Sequence, residues 1–260
     1  MTELVKTKRD ENVVTLLLNR PEAFNALNHE MMEQLARHVT GIAADDTIRA
    51  VVLTGEGKAF CAGGDLKWAL SQPEGAPAAF HKLAAQFHLA VSEIHRMRKP
   101  VIAAINGVAA GGGFSLALAC DFRVMARSVN LRQAYTSAGL CIDGGGTFTL
   151  PRIVGVARAM EIVAFDKPIS SEQALAWGLV TRVVEDGRAV EEACAMAREL
   201  AAGAIHSFGW CKALLTDSFN SEFEAHIERE RFALSECAAH PGGQEGLRAF
   251  AEKRKPKFLP

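Results

Sequence analysis

The chain has 260 residues, enough for one large domain or for a domain with an appendage. Hydrophobic residues make up 49% and charged residues 23%, as in a globular protein with a substantial core. Lys plus Arg total 29 and Asp plus Glu 30, so a net charge of −1 gives no electrostatic reason to expect nucleic acid or a membrane surface as a partner.

The opening MTELVKTKRDENVV lacks the apolar core of a secretory signal. VVTLLLN (13–19) is rich in strand formers, and RPEAFNALN breaks it. Asn28 can cap a helix that carries Met31, Met32, Leu35, Val39 and Ile42 at helical spacing. RAVVLTG (49–55) predicts the next strand, followed by the glycine-bearing loop GEGKAFCAGGDL. A helical pattern over AAFHKLAAQFHLAVSEIHRM buries Phe80, Leu83, Phe87, Val91 and Ile94, and Lys99-Pro100 ends it before the strand VIAAI (101–105). NGVAAGGG then turns into FSLALAC, a short buried helix, and DFRVMA (121–126) and LVTRVV (179–184) predict further strands. Beyond about residue 186 only helical patterns follow, in GRAVEEACAMARELAAG, SEFEAHIERERFALSECAAH and GQEGLRAFAEKR. Strands alternating with helices predict an α/β body, and the helical extension is of a kind that often serves assembly. Cys61, Cys120, Cys141, Cys194, Cys211 and Cys237 are scattered without a CxxC pair. They read as reduced, mostly core residues of a cytoplasmic protein, and nothing suggests a metal.

Two loops, FCAGGDL (60–66) and GVAAGGGFSL (107–116), each follow a strand and lead into a helix. Such loops aim backbone N–H groups outward, most often at a phosphate. Neither matches a dinucleotide or P-loop pattern, so close packing of small residues and a two-loop oxyanion hole both stay open. GFSLA (113–117) nearly matches a nucleophile elbow, with Ser115, then Asp166 or Asp186, then His206 in hydrolase order, although Ala117 fills the last position. His81, His88 and His95 repeat every seven residues, which spaces them ~10.5 Å apart along a helix, too far to share an ion. CIDGGGT (141–147) sets Asp143 before three glycines, where an Asp can be a turn residue, a helix cap or a reactive carboxylate.

NRPEAFNALN, FCAGGDL, KPVIAAINGVAAGGGFSLALACDFRVMA, GGGTFTLPRIVG and AWGLVTRVV together resemble the crotonase superfamily of enoyl-CoA hydratases and isomerases, over nearly the whole chain and in the right order. The resemblance implies a spiral of ββα units over 1–198 and a helical C-terminal trimerisation segment over 199–260, assembled as a homotrimer or a dimer of trimers. It implies an acyl-CoA thioester substrate, with coenzyme A as part of the substrate and no separate cofactor. By the same resemblance the N–H groups of Gly64 and Gly112 hold the thioester oxygen, and Ala62, Asp65, Leu66 and Lys67 lie along the CoA arm. Phe250 and Lys253 would reach the CoA of a neighbouring subunit.

The departures from the family pattern are more telling. Hydratases of this family carry two glutamates, and this chain has Ser115 and Tyr135 at the matching positions, on the substrate side of the pocket. Neither hydroxyl accepts a proton unaided at neutral pH, so efficient hydration is not expected. Asp143 is the acidic candidate left, where the family's double-bond isomerases and aryl-CoA dehalogenases also have an Asp. A single base can take a proton from the α-carbon and return it to the γ-carbon, and the C-terminal motifs look most like the branch that isomerises ring-epoxidised phenylacetyl-CoA. The alternative uses Asp143 as a nucleophile and His88 to activate water, since His88 falls where the dehalogenases keep their histidine. Against it, Tyr135 replaces their tryptophan and Gly64 an aromatic residue. A catalytically weak CoA-binding subunit is the remaining expectation.

Overall fold

The computed structural model describes residues 2–258. It begins with an antiparallel hairpin of β1 (Val5–Asp10) and β2 (Val13–Leu18), whose turn holds Glu11 at φ 50°. β1 is VKTKRD with only Val5 buried, a polar edge strand that a hydrophobic pattern does not reveal. Asn28 caps α1 (His29–Ala44): its Oδ1 accepts the Met31 N–H at 3.0 Å, and the five predicted apolar residues form the buried face.

One pattern then repeats. β3 (Ala50–Gly55) and β4 (Ala59–Cys61) lead to α2 (Leu66–Ser71) and α3 (Ala76–Arg96). β5 (Val101–Ile105) and β6 (Val108–Ala110) lead to α4 (Gly112–Ala119). β7 (Phe122–Ala126) and β8 (Asn130–Arg132) lead to α5 (Gly146–Phe165), which breaks at Gly155 with φ 76°. β9 (Ile169–Ser170), α6 (Ser171–Ala176) and β10 (Arg182–Val184) complete the body. In each repeat the first strand joins a sheet of order β1-β2-β3-β5-β7-β10, parallel from β2 onward. The second joins a sheet of order β4-β6-β8-β9. This is the expected spiral of ββα units.

Strand alternation divides the larger sheet between two cores. Val14, Leu16, Leu18, Val51 and Leu53 face the core shared with α1 and α3. Val13, Ala50, Val52, Ile102 and Ala104 face the small residues of α7 (Ala189–Ala201), namely Ala193, Ala197 and Ala201. Burial on both faces explains why β3 and β5 read as unbroken apolar runs. The strand predicted over 179–184 pairs only at Arg182–Val184. Ahead of it, Leu179 and Val180 are buried in a turn, where the Leu179 carbonyl accepts the Arg123 Nε–H at 2.6 Å. α7 spans residue 198, where the sequence divides body from extension, and packs on the sheet along its length.

α8 (Ile205–Asp217), α9 (Phe223–Ala239) and α10 (Pro241–Ala251) follow. The buried Lys212 ties α8 to the body, donating to Asp121 Oδ2 at 2.8 Å and to the Ile94 carbonyl at 2.9 Å. Leu215, Phe219, Phe223, Leu234 and Phe250 are exposed in this segment. Among the described residues no helix is long and apolar enough to cross a membrane.

Candidate active site

Two glycine segments meet at the start of α4. Leu27 donates its N–H to the Gly63 carbonyl at 2.7 Å, and its own carbonyl accepts the Asp65 N–H at 2.9 Å. Residues 63 and 65 therefore face Leu27, and alternation turns the Gly64 N–H the other way. Gly112 opens α4, where the first N–H groups have no acceptor within the helix. A Cβ on Gly112 would lie 2.9 Å from Cδ1 of the buried Leu27 and 3.7 Å from the Gly64 nitrogen, so a larger residue would have to push Leu27 aside. Gly111 takes φ 53°, which suits a residue without a side chain. Gly64 and Gly112 are thus neighbours, as two donors to one oxygen require. Cys61, just before this loop, is fully buried and its thiol is pushed up to about 12 by burial, so it stays protonated and unreactive.

A cavity of about 680 Å³ opens beside Gly64, lined among others by Arg20, Phe24, Ala62, Leu66 and Lys67. Asp65 also lines it, but its carboxylate is already engaged. Oδ1 accepts the Trp68 N–H at 2.9 Å as the cap of α2, and Oδ2 pairs with Arg20 at 3.0 Å. Sequence reasoning missed Arg20 and Leu27, which hold this wall; both lie in NRPEAFNALN, a motif with no charge pattern to single them out. A larger cavity of about 870 Å³ lies elsewhere, lined by Arg49, Lys99, His206, His240 and Glu245. Phe250 and Lys253 line neither, and sit at the end of α10.

The reactive side chains gather around Asp143. It does not cap α5, because Gly145 holds the N-cap position with φ 74°. The Asp143 carbonyl accepts the Gly146 N–H at 3.0 Å, a turn bond that leaves the side chain unspent. Its Oδ1 accepts the Tyr135 hydroxyl at 2.5 Å, and Oδ2 lies 3.8 Å from His88 Nε2. His88 Nε2 in turn accepts the Gly144 N–H at 3.3 Å. Gly144, at φ 59°, passes so close to Phe87 that a Cβ would run into the ring, which fixes the loop against α3. Ser115 is fully buried in α4, with its Oγ 3.3 Å from the Tyr135 hydroxyl. Burial, then the charge of Asp143, pushes the Tyr135 phenol above its ordinary range and keeps it a donor.

The serine-hydrolase constellation does not assemble. Ser115 meets Tyr135 rather than a histidine, while His206 stacks on His240 with ring centroids 3.9 Å apart. Asp166 bonds Arg132 and the Ala134 N–H, and Asp186 accepts the Ser128 N–H. Chain order alone placed them together; the spiral puts them on different turns. Of the three spaced histidines, His88 stands beside Asp143, whereas His95 meets Phe148 edge-on and His81 is exposed.

A family model described as enoyl-CoA hydratase/isomerase matches residues 8–259. The 1,2-epoxyphenylacetyl-CoA isomerase of Escherichia coli (strain K12) is 38% identical over 259 residues, 99% of each chain. The 4-chlorobenzoyl coenzyme A dehalogenase-1 of an Arthrobacter species is 32% identical over 250 residues, 96% of this chain and 91% of that protein. Among solved structures, an enoyl-CoA hydratase from Polaromonas sp. JS666 superposes with a TM-score of 0.92 at 35% identity, covering 97% of this chain and 98% of that one.

Proposed function

The chain belongs to the enoyl-CoA hydratase/isomerase family, and from that premise we propose that it isomerises an acyl-CoA thioester with Asp143 as its one acid–base group. The substrate thioester lies against the wall of Ala62, Leu66 and Lys67, with its carbonyl oxygen between the N–H groups of Gly64 and Gly112. Asp143 takes a proton from the α-carbon, and the electron pair moves into the carbonyl to give a dienolate that the two N–H groups stabilise. The same carboxyl returns the proton to the γ-carbon.

One observation carries the choice of isomerase over hydratase. The hydrogen-bonded cluster of Ser115, Tyr135 and Asp143 contains a single carboxylate, whereas adding water across a double bond is best served by two. The similarity to a 1,2-epoxyphenylacetyl-CoA isomerase supports an aromatic, ring-modified acyl group. Residues 199–260 serve assembly into a homotrimer or a dimer of trimers, supported by the exposed Phe219, Phe223 and Leu234. Phe250 and Lys253 would there serve a neighbouring subunit's CoA.

A second reading is favoured by the 3.8 Å approach of His88 to Asp143 and by the likeness to a dehalogenase. Asp143 would attack an aryl carbon, expel halide and form an ester, which water activated by His88 would then hydrolyse. The test is incubation with a β,γ-unsaturated acyl-CoA in deuterated water, followed by mass and NMR. Conversion to the α,β-isomer that vanishes in Asp143→Asn supports the isomerase. Turnover of 4-halobenzoyl-CoA, with an ester trapped on Asp143 in His88→Gln, would replace it. Tight thioester binding without either reaction would make the chain a binding subunit.

A further inference from the structure

We propose that Tyr135 is a positioning residue for Asp143, holding Oδ1 so that Oδ2 alone carries the substrate proton from the α-carbon to the γ-carbon. The inference rests on the isomerase reading above. A phenol has one hydrogen to give, and at 2.5 Å it goes to Asp143 Oδ1. Ser115 Oγ must then be the donor in its 3.3 Å contact with Tyr135, which orders the chain from Ser115 through Tyr135 to Asp143. The two hydroxyls that stand in place of carboxylates therefore serve the carboxylate that is present.

The backbone around Tyr135 is held more firmly than a loop needs. Ala134 takes φ 52°, an unfavourable conformation for a residue with a side chain, and the buried Asp166 fixes it by accepting the Ala134 N–H at 2.8 Å. Asp166 is held in turn by Arg132 at 3.1 Å. The buried Gln133 accepts the Tyr135 N–H at 3.0 Å and donates to Thr136 Oγ1 at 2.5 Å. Strain held in place immediately before one side chain fixes the direction of its ring, and that ring ends on Asp143.

The proton inventory closes without a co-reactant. The α-C–H bond breaks, its proton joins Oδ2, and its electron pair enters the dienolate. The O–H bond at Oδ2 then breaks as the γ-C–H bond forms, and the carboxylate is restored. With Oδ1 tied by Tyr135, the carboxyl keeps Oδ2 toward the substrate, so a share of the protons that leave is returned to the γ-carbon before exchange with solvent.

The test uses a β,γ-unsaturated acyl-CoA deuterated at the α-carbon, in ordinary water. Label reaching the γ-carbon is measured beside kcat and KM. The unmodified chain should transfer a measurable share of the label. Tyr135→Phe should lower kcat by about 10-fold or more, leave KM within about 3-fold and cut the transferred share. Ser115→Ala should cut transfer less, and it carries the test if Tyr135→Phe fails to fold. Wild-type kcat and label transfer in Tyr135→Phe, or unaltered transfer in Ser115→Ala should that variant alone fold, would overturn the role of Tyr135 and leave the isomerase standing. No conversion by the unmodified chain would overturn both.

Discussion

The glycine segments at 63–64 and 111–113 and the loop around Asp143 are joined through α4, yet they hold their working atoms by different means. In the glycine segments those atoms belong to the backbone, and position comes from close packing. A Cβ on Gly113 would run into the Cys61 carbonyl, and one on Gly63 would stand 2.9 Å from the Ala110 carbonyl oxygen. In the Asp143 loop the working atoms belong to a half-exposed side chain, and position comes from two hydrogen-bonded hydroxyls. A segment of the first kind, at Gly63 and Gly113, leaves no room for a side chain against the neighbouring backbone. A site of the second kind can change its chemistry by exchanging one or two side chains without disturbing the fold. Ser115 and Tyr135, at the positions where the family resemblance places the hydratases' glutamates, would be an instance of that freedom.

The comparison breaks most readily at Asp143. Asp143→Asn keeps shape and removes the base, so kcat should fall by about 10³-fold or more while binding of an unreactive thioester analogue changes little. If turnover survives, the carboxylate is only a turn residue. Gly112→Ala attacks the other side. The new Cβ presses on Leu27 Cδ1 at 2.9 Å and displaces a donor, which should cost kcat roughly 10²-fold, close to the loss of one oxyanion donor. Steady-state kinetics checks it, and an unchanged kcat would mean that this N–H holds nothing.

A smaller effect separates support from chemistry. Burial alone would raise the Asp166 carboxyl, but hydrogen bonds from Ser137, the Ala134 N–H and Arg132 outweigh it and leave it below the usual carboxylate range. A lowered carboxylate adds stability above its unfolded value, and that stability is lost as pH falls through the folded one. Asp166→Asn should therefore destabilise by ~1–2 kcal/mol at neutral pH, with the gap to wild type closing below about pH 4. Denaturant midpoints taken across pH would reveal it, and a gap independent of pH would contradict the charge-based account. The smallest change is expected from His88→Gln, within about 5-fold on isomerisation, because His88 Nε2 lies 3.8 Å from Oδ2, beyond hydrogen-bond distance, and takes the Gly144 N–H instead. A loss as large as that of Asp143→Asn would favour the ester route instead.

Much of the body was legible because its signals are local. Asn28 before Met31, Met32 and Leu35 reads as a capped amphipathic helix, and VIAAI reads as a buried strand, since propensity, periodicity and capping all act within a few residues. The short strands of the second sheet were not legible. AFC, VAA and NLR hold three residues each, too few for a period, and they become strands only by pairing with one another. Polar β1 escaped for the opposite reason, since an edge strand needs no apolar face. α8 escaped because its pattern is weak and its buried anchor is a lysine, Lys212, whose partners lie on other elements.

At the site the division follows the same physics. Sequence alone determined which residue types were available: two glycine-bearing loops and one acidic candidate before three glycines, with the family resemblance adding hydroxyls, Ser115 and Tyr135, where it places hydratase glutamates. It also left Asp143 open as cap, turn or base, because all three roles look alike over seven residues. Tertiary structure decided among the bonds. It set Gly145 rather than Asp143 at the start of α5, brought Tyr135 to 2.5 Å from Oδ1, and carried His206 away to stack on His240. Hydrogen bonds and charge interactions act over a few ångströms of space, and only the winding of the spiral brings residues 88, 115, 135 and 143 within that range.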